Sequence, residues 1–88
     1  MNDIMNNDVI ETRYYKIMTN RKGRRVLITK KKILANSLSF ATELKVYIFD
    51  DEDGTKVYSI DCDERVEKIA EQLCQWHKEA LYMQRQNK

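Results

Sequence analysis

Most of the chemistry this 88-residue sequence offers lies in basic and aromatic side chains. The stretch TNRKGRRVLITKKK, residues 19–32, holds seven of the sixteen Lys and Arg residues and no acid. From Thr12 to Thr42 there are nine bases, Arg13, Lys16, Arg21, Lys22, Arg24, Arg25, Lys30, Lys31 and Lys32, again with no acid. Cations at this density pair with phosphates and release counterions. Tyr14, Tyr47 and Tyr58 offer rings on which bases stack at roughly 1–3 kcal/mol each. The combination suits a polyanion, single-stranded RNA or DNA first. The net charge of +2 conceals the asymmetry, because residues 1–11 carry three acids and no base while residues 43–71 carry ten acids against four bases. A solvated hairpin tip would account for NRKGRR alone, and lysines on exposed strands also discourage edge pairing; the acid-free run of 31 residues favours an anionic partner.

Catalytic chemistry finds little to build on. His77 is the single histidine, on the flank of an apolar helical stripe, and no triad or acid–base pair converges on it. Cys74-x-x-His77 sets two metal ligands on one helix face, but a structural zinc needs two more, with only Cys62 or carboxylates to supply them. DDEDG (residues 50–54) lacks the length and terminal Glu of a calcium loop and reads as a turn. Trp76, at helical spacing, reads as a core anchor against the sheet. The expectation is a non-enzymatic protein with no catalytic residues, no metal and no cofactor.

With 42% apolar residues, two Gly and no Pro, the chain has the composition of one globular domain. A domain this short buries only about 60% of its unfolded surface, so a second subunit would help it. The apolar runs VLI and VYIF are too short to span a bilayer, and MNDIMNND has neither the basic start nor the apolar stretch of a signal peptide. Cys62 and Cys74 are too few for a disulfide framework. A cytoplasmic protein with reduced thiols and no membrane association is expected.

The elements that must position these residues follow from periodicity. Residues 11–19 and 24–34 are rich in β-branched and aromatic side chains, and NRKG between them places Gly23 where a hairpin loop wants positive φ. Residues 43–50 and 55–61 alternate around DEDG, a second hairpin. Residues 35–42, ANSLSFAT, read as a loop packed back through Leu38 and Phe40, with room for a short helical turn. From Asp63 the period becomes helical: Val66, Ile69, Leu73, Trp76, Ala80 and Met83 form a stripe to about Gln84, and Asp61 with Glu64 has capping-box spacing. The expected fold is α+β, a four-stranded antiparallel sheet of two hairpins followed by one C-terminal helix, ββββα. It comprises a flexible N-terminus (1–10), one domain (11–86) and a frayed end (87–88).

One helix covers only one face of such a sheet. Pairing Asn20 with Arg24 sets Tyr15, Ile17, Leu27 and Thr29 on one side. Pairing Asp50 with Thr55 sets Leu44, Val46, Ile48 and Val57 on one side and Lys45, Tyr47, Phe49, Lys56, Tyr58 and Ile60 on the other. If the helix covers the first set in each hairpin, the open face combines Tyr14, Tyr47 and Tyr58 with Lys16, Lys30, Lys32, Lys45 and Lys56. A one-residue slip in either hairpin turns these assignments over. Met18, Val26, Ile28, Phe49 and Ile60 on the same face point to a homodimer or a partner protein.

The run TRYYKIMTNRKGRRVLITKKKIL, a second hairpin and IDCDERVEKIAEQL together resemble the positive cofactor four family of single-stranded nucleic-acid-binding proteins. The likeness is carried by Arg13-Tyr14, the Lys22-Gly23 turn, the Val26-Leu27-Ile28 strand and the junction at Ile60 to Glu64. It implies four antiparallel strands, a helix and a dimer whose sheets hold nucleic acid, with Arg13, Lys16, Arg21, Lys22, Arg24, Arg25 and Lys30 as phosphate contacts. The acidic turn at 50–54 and the long 35–42 connection depart from that pattern. A second class of function stands beside it: a small accessory inhibitor or antitoxin-like protein, phage-encoded and acting in host cytoplasm, that docks on a larger nucleic-acid-processing protein. A third is a structural dimer whose basic region only keeps it soluble.

Overall fold

Two turns of one design set the sheet of the computed structural model, which describes residues 9–86. In the first, the Gly23 N–H donates to the Asn20 carbonyl at 3.0 Å and the Asn20 N–H to the Arg24 carbonyl at 2.8 Å. In the second, the Gly54 N–H donates to the Asp51 carbonyl at 3.0 Å and the Asp51 N–H to the Thr55 carbonyl at 2.8 Å. Gly23 and Gly54 sit at φ 81° and 87°, left-handed positions that cost an L side chain strain. Asn20 Oδ1 also accepts the N–H groups of Lys22 and Arg24, each at 2.9 Å, which fixes the loop.

The elements in chain order are β1 (Ile10–Glu11), β2 (Lys16–Thr19), β3 (Arg25–Thr29), α1 (Lys32–Thr42), β4 (Val46–Asp50), β5 (Lys56–Asp61) and α2 (Glu64–Gln86). One sheet has the order β1-β2-β3-β5-β4, with every neighbouring pair antiparallel. The fold is therefore α+β with an antiparallel sheet, as expected, but the described residues form five strands and two helices rather than four and one. Strand β3 leaves the sheet through α1 and the chain returns as β4, with β5 lying between the two. The expected flexible N-terminus up to residue 8 and the frayed residues 87–88 lie outside the described residues, while Ile10 of that N-terminus pairs with Ile17.

Helix α1 replaces the expected loop at 35–42 and the end of the expected strand at 24–34. Leu34, Ala35, Leu38 and Thr42 recur at helical spacing in a segment with no Gly or Pro, and Ala35, Leu38 and Thr42 are buried. The helix stops at Glu43, which turns left-handed at φ 61° while its N–H still bonds the Ser39 carbonyl at 2.7 Å. Phe40, expected to pack inward, points away from the core and is 89% exposed.

The core lies between the helices and one face of the sheet. Tyr15, Ile17, Leu27 and Ile60 meet Leu38 of α1 and Val66 and Ala70 of α2. Helix α2 starts on Asp63 rather than on an Asp61/Glu64 box: Asp63 Oδ1 accepts the Val66 N–H at 2.9 Å, which holds that carboxyl below its ordinary pKa range. Its 23 residues extend about 34 Å. Val66 and Ala70 are buried and Ile69, Leu73 and Cys74 half-buried, whereas residues 75–85 are all exposed. Trp76 is 57% exposed and does not anchor against the sheet. Neither helix is long and apolar enough to cross a membrane.

The two sides of α1 give a stability test. Leu38→Ala should cost about 2–5 kcal/mol by urea unfolding. Phe40→Ala should stay within about 0.5 kcal/mol of the parent; equal costs would contradict this orientation of the helix.

Candidate nucleic-acid interface

Directly paired residues of a sheet share a face. The row Glu11, Lys16, Ile28, Ser59 and Tyr47 therefore crosses all five strands on the side away from the helices. Met18, Val26 and Asp61 form the next row, and Val57 and Phe49 another on the far side of the first. Val26 and Val57 are buried yet stand apart from the main core, as residues of this second face must.

The second hairpin is one residue out of the expected register. Asp50 pairs with Lys56, not Thr55, so Val57 and Ser59 join the open face while Lys56, Tyr58 and Ile60 turn toward the helices. Tyr58 lies opposite Thr29 and Ile48 on the helical side and is half-buried. Lys56 Nζ bonds Asp50 Oδ1 at 2.7 Å, which raises the lysine's pKa. Tyr14 is likewise not on the open face. Thr12 Oγ1 accepts the Tyr14 and Tyr15 N–H groups at 3.1 Å and bends the chain there, and the Tyr14 ring packs edge-on against His77 of α2, 5.4 Å between centroids. Of the three expected stacking rings, only Tyr47 is on the open face. Phe49 stands beside it two residues along the strand, a ring the expected stacking set omits. Lys45 Nζ lies 5.2 Å from the Tyr47 ring centroid.

The nine cations of residues 12–42 divide into groups. Lys16 is on the open face, with Arg24 and Lys30 just beyond the two ends of β3 on the same side. Arg21 and Lys22 form the exposed tip of the first hairpin. Arg13, Lys31 and Lys32 gather at the opposite end, where α1 begins with no capping side chain and no acid in its first turn, so its positive dipole end adds to the lysines. Arg25 lies opposite Thr19 with helix-facing parity. Lys31 borders a cavity of about 420 Å³ with Tyr14, Leu34, Leu73, Cys74 and His77. Lys30 and Lys31 thus diverge to opposite sides.

The chain's own carboxylates take part of this charge. Arg24 lies 3.6 Å from Asp61 and Lys30 3.5 Å from Asp51, both pairs well exposed. Exposed pairs of this kind are worth about 0–1 kcal/mol, little enough for a phosphate to displace the carboxylate. Arg13, Lys16, Arg21, Lys22, Lys31 and Lys32 form no ion pair among the described residues. From Arg24 to Lys30 the hairpin spans about 20 Å at ~3.3 Å per residue, the reach of about six stacked nucleotides.

Also missed at the sequence level is an apolar surface on the helices, where Ile33, Phe40, Trp76, Leu81, Tyr82 and Met83 are exposed. Its signal was the helical stripe itself, whose 23-residue helix is longer than the short strands beneath it can cover. Among the described residues no three His, Cys, Asp or Glu side chains are grouped to hold a metal ion. No family model, curated protein or solved structure matches this chain.

Burial pushes the Cys62 thiol from its ordinary value near 9 up to about 11, and raises Cys74 as well. A raised folded pKa means stability that is complete below the unfolded value and is lost as pH rises through the folded one. Unfolding stability should therefore decline between about pH 9 and 11, and Cys62→Ala should flatten that decline. In the native state at pH 8 a thiol reagent should modify the half-buried Cys74 well before Cys62; the reverse order would contradict this burial.

Proposed function

We propose that this chain is a non-enzymatic, cytoplasmic binding protein for single-stranded nucleic acid, RNA or DNA. The strand lies along the β2–β3 hairpin and across the open sheet face. Arg21 and Lys22 take phosphates at the tip, Lys16 in the middle, and Arg13 and Lys32 at the far end. Tyr47 and Phe49 stack bases, and Lys45 supports the Tyr47 ring from its other side. The observation that carries the reading is the row that sets Lys16 and Tyr47 on one face, between two ends rich in exposed cations. Lys16 and Tyr47 are three strands apart, about 14 Å at ~4.8 Å per strand, so one nucleotide chain can reach both. The likeness of Arg13-Tyr14 and the Lys22-Gly23 turn to the positive cofactor four pattern supports the same ligand, although α1 falls between the hairpins where that pattern has none.

The helical surface favours a second reading, the small inhibitor or antitoxin-like protein docked on a larger nucleic-acid-processing partner. Phe40 at 89% exposure beside Ile33 and Trp76 makes an apolar patch of the kind protein partners cover. The two readings use different faces and are compatible in one molecule.

Labelled single-stranded RNA and DNA titrated at several salt concentrations test the first. Affinity should fall with salt at a slope near −0.7 per phosphate contact, so Arg21→Ser with Lys22→Ser should flatten the log–log slope by about 1.4. Tyr47→Ala should weaken binding by roughly 1–3 kcal/mol and leave the slope alone. Tyr14→Ala should lower stability without the same loss of affinity. No binding by the parent, or binding indifferent to salt, overturns the reading.

A further inference from the structure

The sheet has two edges, and they differ. Strand β1 is two residues long, too short to recruit another strand. Strand β4 is five residues, VYIFD, and among the described residues it is bonded to β5 on one side only. It has no Pro, Gly or bulge to blunt it, and Tyr47, Ile48 and Phe49 are 51%, 60% and 49% exposed. Natural proteins protect such an edge unless something pairs with it.

The direction of its free backbone groups follows from the turn. Asp51 bonds Thr55 across the hairpin, so by antiparallel alternation Phe49 and Tyr47 face their partners Val57 and Ser59. The N–H and C=O groups of Val46, Ile48 and Asp50 then point outward from the sheet.

We propose that β4 is a homodimer interface, pairing antiparallel with β4 of a second copy about a two-fold axis at Ile48. The occupant is a second copy because the strand is complementary to itself. With Ile48 opposite Ile48 of the partner subunit, Val46 meets the partner's Asp50 and all three outward-facing residues are hydrogen-bonded, about six backbone bonds in all. On the open face, Tyr47 meets the partner's Phe49 twice, aromatic cross-strand pairs. Lys45 meets the partner's Asp51, again twice. A two-residue slip in one direction sets Ile48 against the partner's Asp50 and Tyr47 against its Asp51. A slip in the other sets Lys45 against the partner's Phe49. A one-residue slip puts opposite faces together. Cation at one end and acids at the other also exclude the parallel arrangement.

The two-fold axis stands perpendicular to the sheet, so both open faces lie on one side of a continuous ten-stranded sheet, the rings of β4 at its centre and the basic hairpins outside. This pairing stands without the nucleic-acid reading, since it needs only the edge and its charges.

Sedimentation equilibrium of the full chain over a wide concentration range tests it. The parent should dimerise. Ile48→Lys, at an exposed position, should raise the dimer dissociation constant at least about tenfold, with far-UV circular dichroism and thermal unfolding reporting an intact fold. Ile48→Pro removes an outward N–H without breaking the bonds to β5 and should do the same; if that variant unfolds, Ile48→Lys decides. Lys45→Asp should weaken the dimer, and Lys45→Asp with Asp51→Lys should restore it. A parent that stays monomeric overturns the proposal. So does a dimer indifferent to Ile48→Lys, including one that Phe40→Ser or Trp76→Ser disrupts instead. Nucleic-acid affinity measured on the Ile48 variants, a position outside the proposed binding face, keeps failure of this interface distinct from failure of the binding reading.

Discussion

Strand register, held by two four-residue turns, is the constraint on which everything else here rests. Asn20 to Gly23 and Asp51 to Gly54 are the same device: an Asx residue opens the turn, glycine closes it left-handed, and the N–H of the opening residue bonds the carbonyl of the residue after the glycine. The pleat then assigns every side chain of both hairpins to a face. Ile17, Leu27 and Ile60 reach the helices, while Lys16, Ile28, Tyr47 and Phe49 are left to the other side. A change of one residue in either turn would invert half the molecule.

That device was legible in the first hairpin and overlooked in the second. Pairing Asn20 with Arg24 is what the structure shows. The same rule applied to DEDG gives Asp51 with Thr55, and the error of pairing Asp50 there sent Tyr58, Lys56 and Ile60 to the wrong face. Helix α1 was hidden for a different reason: Ile33 and Leu34 continue the apolar character of β3, so the strand pattern runs on past Thr29 where the chain has already turned. Nor does periodicity reveal where a helix loses its support. The stripe from Val66 to Met83 keeps helical spacing throughout, but strands of four to six residues cover only about 13–20 Å, and Trp76 is left exposed although its neighbour His77 still meets the Tyr14 ring. The basic region itself was plain from composition. Its division between two ends, two faces and two ion pairs needed coordinates.

Charge segregation along the sequence becomes a more measured asymmetry in space. Asp61 and Asp51 reach back across the sheet to Arg24 and Lys30, and Glu11 stands in the row of Lys16. The helical side is different again, with large apolar side chains exposed along α1 and the free half of α2. The molecule thus presents three unlike surfaces on a small body: a mixed cationic and aromatic sheet face, an apolar edge strand and an apolar helical flank. Tyr47 and Phe49 belong to both the first and the second of these surfaces, while the helical flank lies on the opposite side of the sheet.

The most direct measurement of the central claim is a residue-by-residue map of a short single-stranded oligonucleotide on the protein by backbone and side-chain nuclear magnetic resonance. The account predicts shifts at Lys16, Arg21, Lys22, Tyr47 and Phe49, with the rings of Tyr14 and Tyr58 unmoved on the helical side. Shifts confined to the helices, or centred on Tyr58 while Tyr47 stays still, would contradict both the register and the face assigned to it.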